Sequence, residues 1–246
     1  MTSILAGLQA TLCRARKTRY NVPMRTLYHH PLCPFSRKVR IVLAEKKLEA
    51  DVQVEKFWER RPEFVALNPG GDVPVMVEEG GTALSDATAI CEYLDEVHRE
   101  PPLLPAEPVA RAEVRRLVGW FGAKFNSEVT VNLVGEKVFR RLSQAHAEPD
   151  SRKIRTGYAN IHAHLDYIGW LIERRTWLAG SGYTLADVAA AAQISCVDYV
   201  GDVPWDSHPG AKDWYARVKS RPSFRAILAD HLPGVPPPRH YVDLDF

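Results

Sequence analysis

The sequence predicts an α/β domain followed by an all-α helical bundle, and three observations carry that prediction. Strand-like and helix-like segments alternate from Met24 to His98. A stretch with four prolines, Arg99 to Pro108, then interrupts the pattern. Beyond it, apolar residues recur only at helical spacing. The chain has 246 residues, enough for two units that each bury a core. The predicted boundaries are 24–98 for the α/β unit, 99–108 for a linker, 109–231 for the bundle and 232–246 for a tail.

The α/β unit is organised around Leu27 to Arg40. A short apolar strand ends at Tyr28, a proline-punctuated turn follows, and Cys33-Pro34 opens a helix on which Val39, Val42 and Leu43 recur at helical spacing. Pro34 suits the first helical position because its missing donor costs nothing there. A cysteine at a helix start faces free amides and the positive end of the macrodipole, so the Cys33 thiolate is expected to be stabilised. Arg37, Lys38 and Arg40 strengthen that expectation, since cations in a first turn oppose the dipole unless an anion is near. The alternatives are a plain cap residue at Cys33 and a solvated basic face beside it.

Asp51 to Glu55 alternates as a short strand. Phe57 to Pro62 reads as an irregular segment in which one aromatic packs inward and Trp58 is the candidate exposed contact. Asn68 to Asp72 is a loop, Val73 to Val77 a strand entered through Pro74, and Gly80-Gly81 a tight hairpin turn into Thr82–Leu84. Ser85-Asp86 caps a helix from Ala87 to His98. Tyr28, His29 and His30 read as packing or turn residues.

In the bundle, helices are expected over Arg111–Phe125, Glu128–Leu142, Ser151–Arg175, Thr184–Val200 and His208–Lys219. Thr184 and Asp187 form a capping box, and Tyr183 with Val188 the hydrophobic staple beside it. Ala189 to Ala192 allow close helix approach, which places that helix at the bundle centre. The tail combines Pro236-Pro237-Pro238, a stiff extended segment, with six last residues alternating apolar and acidic. It either packs along its own domain or presents a short linear contact.

Net charge is +2, too small to argue for nucleic acid, so no polynucleotide partner is expected. Cys13, Cys33, Cys91 and Cys196 are scattered without paired spacing, which indicates neither a disulfide framework nor a metal site and points to reducing cytoplasm. No apolar stretch approaches the roughly 20 residues needed to span a bilayer. Residues 1–23 carry Arg14, Arg16, Lys17 and Arg19 after an apolar run, the reverse of a secretory signal. They read as an over-long start or a disordered extension.

Four ordered motifs carry a family resemblance: Cys33-Pro34-Phe35-Ser36-Arg37-Lys38-Val39-Arg40, Asn68-Pro69 leading to Val73-Pro74-Val75, Asp86-Ala87-Thr88-Ala89-Ile90 before Tyr93-Leu94, and the capping box at Thr184–Asp187. Together they resemble the glutathione S-transferase superfamily from Met24 to about Ala229. The resemblance implies a thioredoxin-like N-terminal domain, a helical C-terminal domain, a cis bond at Val73-Pro74, and a homodimer. It also places Cys33 at the catalytic position, with Ser36 where redox relatives carry a second cysteine. Val73 and Pro74 then meet the cysteinyl part of glutathione, and Asp86 and Ala87 its γ-glutamyl end.

The sequence departs from the family at Ala87, where a serine usually binds that carboxylate. Losing a hydroxyl bond to a charged group costs roughly 1.5–3 kcal/mol, or about ten- to a hundredfold in affinity. Backbone amides at the helix start remain as possible donors. The tail, with Val197 to Asp206 and Lys212 to Phe224, looks most like a bacterial subgroup whose described member binds the tubulin-like division protein FtsZ. That resemblance implies a weakly catalytic or non-catalytic dimeric scaffold with partner contacts at Trp58, Tyr241, Asp243, Asp245 and Phe246. The competing expectation is an active glutathione-dependent transferase or thiol transferase that uses Cys33.

Overall fold

The structure, a computed structural model, describes residues 24–144 and 147–244. The basic segment 1–23, Cys13 within it, and the terminal pair Asp245 and Phe246 lie outside the described residues.

The N-terminal half runs β1 (Thr26–His29), α1 (Pro34–Glu45), β2 (Asp51–Val54), a 3-10 turn at Phe57–Glu59, α2 (Pro62–Leu67), β3 (Val75–Val77), β4 (Ala83–Ser85) and α3 (Ala87–Val97). Its sheet has the order β2-β1-β3-β4, with β1 and β2 parallel and the other pairs antiparallel. The connection from β1 to β2 passes through α1, as a parallel pair requires. Alternation along β1 buries Leu27 and His29 on one side. Sequence reading missed α2, which begins at Pro62 directly after the irregular aromatic segment. The Val73-Pro74 bond is cis, as the family resemblance implies.

The C-terminal half is helical: α4 (Pro108–Gly119), a stretch of wider π-type turns (Trp120–Phe139), α5 (Arg140–Ser143), α6 (Ser151–Ile172), α7 (Leu185–Tyr199), α8 (Pro209–Lys219) and a final turn α9 (Arg225–Leu228). The two helices expected over 111–142 are one unbroken rod from Pro108 to Ser143, because the backbone stays helical through Asn126 and Ser127, where the break was expected. Every residue of α7 is buried, and it packs against α1 and against both α4 and the π-wound stretch of the rod. The run Ala189 to Ala192 does what its size suggests. The capping box forms with Thr184 and Asp187 in reciprocal contact.

Helix α1 joins the halves. Arg37 is fully buried: its Nε donates to Pro31 O at 2.7 Å, Nη1 to Ser195 Oγ at 2.9 Å, and the guanidinium lies near the rings of Tyr199 and Tyr241. Arg40 binds both oxygens of Asp230, and Glu45 accepts from Arg221 and Ser223. The tail packs along its own domain. Tyr199 OH donates to Val235 O, Lys219 Nζ donates to Asp243 O at 2.6 Å, and Tyr241 is fully buried with its hydroxyl on Ile227 O. Tyr241 is therefore a core residue rather than a contact presented to a partner.

Candidate functional site

A cleft of about 320 Å³ opens between the halves. Cys33, Phe35, Phe57 and Val73 form one wall, and Thr130 and Phe139 of the π-wound stretch lie on the other. Wide turns of this kind often occur at functional sites, and here they set the cleft side of the rod. Sequence reading did not find the rod's contribution. Asn126 and Thr130 interrupt an apolar helix, but nothing in their spacing says which surface they face.

Cys33 caps α1 without a side-chain cap bond, and its thiol donates to Val73 O at 3.5 Å. The amides of Phe35 and Ser36 and the Ser36 hydroxyl favour the thiolate, as a helix start should. Burial outweighs them and pushes the thiol up, with the nearby Asp72 carboxylate acting in the same direction. The expected activated thiolate is thus corrected: the sulfur is buried and the three cations turn elsewhere. Arg37 and Arg40 face the helical half, while Lys38 Nζ donates to Thr88 Oγ1 at 2.9 Å. Ser36 is fully buried and also accepts from His30 N.

The other described thiols, Cys91 and Cys196, are more deeply held. Burial pushes Cys91 and Cys196 to about 12. Cys33 lies on the cleft wall, so alkylation at neutral pH should modify it before Cys91 and Cys196. Peptide mapping during labelling reads the order, and faster modification of Cys196 would contradict the placement of Cys33 at the cleft.

The expected γ-glutamyl end is largely self-occupied. Asp86, at φ 68° in the left-handed region, accepts from Thr88 N at 2.7 Å and Ala89 N at 2.9 Å. Two of the amides expected to remain for a ligand carboxylate are therefore taken by the chain's own cap. Ala87 is buried and brings no hydroxyl. Trp58 is half-buried, in a ring cluster with His30, Phe57 and Phe139. It borders the aromatic wall of the cleft instead of standing free.

His29 and His30 are buried, and His30 packs against Phe57 and Phe139 of the cleft. Burial lowers His29 to about 3, helped by Arg40, His30 and Arg37, and lowers His30 to about 4, helped by Arg37. Both rings stay neutral in the fold, whereas the unfolded chain protonates them near the ordinary value of 6.5. Their contribution is present above 6.5 and is lost as pH falls toward 4, because the unfolded state then binds more protons. Thermal unfolding at pH 7 and pH 5 should show a lower midpoint at pH 5, with a smaller drop in His30→Asn. An equal drop in the variant would contradict this assignment.

Among the described residues no group of three or more His, Cys, Asp or Glu is placed to hold a metal ion, and no helix is long and apolar enough to cross a membrane.

A small mixed sheet with its cysteine-capped helix, closed against a helical half by the rod, is the glutathione S-transferase fold. The chain belongs to the glutathione S-transferase family: the family's N-terminal domain model matches residues 32–97 and its C-terminal domain model residues 144–222. FtsZ-localized protein A of Caulobacter vibrioides is 48% identical over 225 residues, covering 90% of this chain and 98% of that protein. Among solved structures, a glutathione S-transferase from Rhodospirillum rubrum F11 matches with TM-score 0.88 and 56% identity, covering 91% of this chain and all of that one. FzlA from C. crescentus matches with TM-score 0.87 and 47% identity, with 91% and 100% covered.

Proposed function

We propose that this chain is a cytoplasmic, homodimeric scaffold that binds FtsZ in bacterial cell division and turns glutathione over weakly or not at all. The observation that carries the reading is the near full-length similarity to FtsZ-localized protein A. The site supports it. Cys33 is buried with its thiol raised, Ala87 lacks the hydroxyl, and Asp86 holds two amides that a ligand carboxylate would use. The tail's exposed turn at Val242–Leu244, anchored by Tyr241, and the cleft rim at Trp58 are the proposed contacts.

The second reading, a glutathione-dependent transferase or thiol transferase, is favoured by one observation: the cleft beside Cys33 is open and its helix-start amides face the sulfur. Turnover with glutathione and a simple electrophile separates the two. The scaffold reading expects activity at background in wild type and in Cys33→Ala alike. Turnover that Cys33→Ala abolishes would make the chain an enzyme.

Ala87→Ser sharpens the same point. In a site that is otherwise intact, the restored hydroxyl adds roughly 1.5–3 kcal/mol of binding to the carboxylate. The scaffold reading expects no such gain by calorimetry, because Asp86 already holds the adjoining amides. A gain of about tenfold or more would show that the pocket is merely weakened.

A further inference from the structure

Among the described residues nothing covers the sheet's edge at β2. Its ladder to β1 uses alternate residues: Asp51 N donates to Arg25 O and Glu55 N to His29 O, both at 2.8 Å. The N–H and C=O groups of Val52 and Val54 therefore point away from the sheet. All four residues of the strand are exposed, with Val52 at 44% and Val54 at 61%. Proteins usually blunt such an edge with proline, lysine, a bulge or a covering helix, and Asp-Val-Gln-Val contains neither proline nor lysine. Beside the strand is a hollow of about 480 Å³ whose apolar lining includes Leu43, Leu48, Ala50, Val52 and Ala226. It shares no lining residue with the Cys33 cleft.

We propose that this edge accepts one extended strand of a partner protein, apolar where it meets Val52 and Val54 and basic where it passes Glu49 and Asp51. The charge argument picks the occupant. Glu49 and Asp51 are exposed, and among the described residues the cation lining the hollow, Arg40, is already held by Asp230. A second copy fits poorly. Two-fold pairing about Gln53 sets Val52 opposite Val54, but the stretch Glu49–Val54 of a second copy brings no cation to meet Asp51 and Glu49. Main-chain bonds would supply the affinity and the hollow a seat for one side chain of the added strand.

The test uses the full chain and a synthetic peptide of alternating valine and lysine, with a control peptide carrying two central prolines. Saturable binding is expected by fluorescence anisotropy, about tenfold or more weaker for the control, with slowed hydrogen exchange at the Val52 and Val54 amides. Val54→Pro removes one outward N–H, spares the ladder to β1 and should weaken binding by about tenfold or more. Val52→Lys, which leaves the backbone intact, should do the same by repulsion. Equal binding of both peptides, or binding indifferent to both variants, would overturn the proposal. So would a doubling of mass with concentration that Val54→Pro abolishes, since the edge would then belong to a second copy.

Discussion

Asp187→Ala should lower the stability of the chain by about 4 kcal/mol, a large part of the 5–15 kcal/mol that holds a typical domain folded. The carboxylate is fully buried and serves four donors. Oδ1 accepts from Leu178 N and Trp214 Nε1, both at 3.0 Å, while Oδ2 accepts from Thr184 N at 3.0 Å and Thr184 Oγ1 at 3.2 Å. Removing it leaves those donors without acceptors where water does not reach, at roughly 1–3 kcal/mol each before the structure relaxes. The damage reaches beyond one helix start, because the same group ties α7 to the Leu178 loop and to α8. Chemical denaturation measures it, and a loss under about 1 kcal/mol would contradict this role.

Arg37→Met is expected to cost about 3 kcal/mol and to loosen the tail. The substitution fills much of the volume but removes a buried cation whose donors reach Pro31 O, Ser195 Oγ and Asp230. Taking one partner from a buried charged network usually costs about 3–5 kcal/mol. Here Arg40 stays on Asp230, so the lower end applies. The guanidinium also lies near the rings of Tyr199 and Tyr241, each of which holds part of the tail. Hydrogen exchange over residues 232–244 should therefore quicken in the variant. A stability change with tail exchange unaltered would show that Arg37 does not hold the tail.

What the sequence made legible was local. Cys33-Pro34 announces a helix start because proline fits there and nowhere deeper in a helix. Thr184 with Asp187 announces another because its two halves lie three residues apart and need no distant partner. The alanines of α7 indicate close packing by size alone. The parts that were not legible depend on partners far along the chain. Arg37, Lys38 and Arg40 look like a cationic collar for Cys33 until Ser195, Thr88 and Asp230 come into place around them. The helix-start argument for the thiol has the right sign for each amide. It omits the cost of burial, which no neighbouring residue in the sequence reveals.

The tail and the rod teach the same lesson. Three prolines and an alternating end suggest an extended contact, yet Tyr241 finds a socket beneath α9 and against Tyr199. Asn126 and Ser127, between the two expected helices, suggest a helix break, but packing against α6 and α7 carries the rod through. At the end expected to meet glutathione, Ala87 was visible as a missing hydroxyl, whereas the Asp86 side chain folding back on Thr88 and Ala89 depends on its left-handed backbone.

Co-sedimentation with FtsZ polymers tests the central claim most directly. The scaffold reading predicts that the chain pellets with polymers in a saturable way, that Cys33→Ala pellets equally well, and that glutathione does not alter the amount bound. A chain that stays in the supernatant at every polymer concentration, while showing glutathione turnover that depends on Cys33, would contradict it.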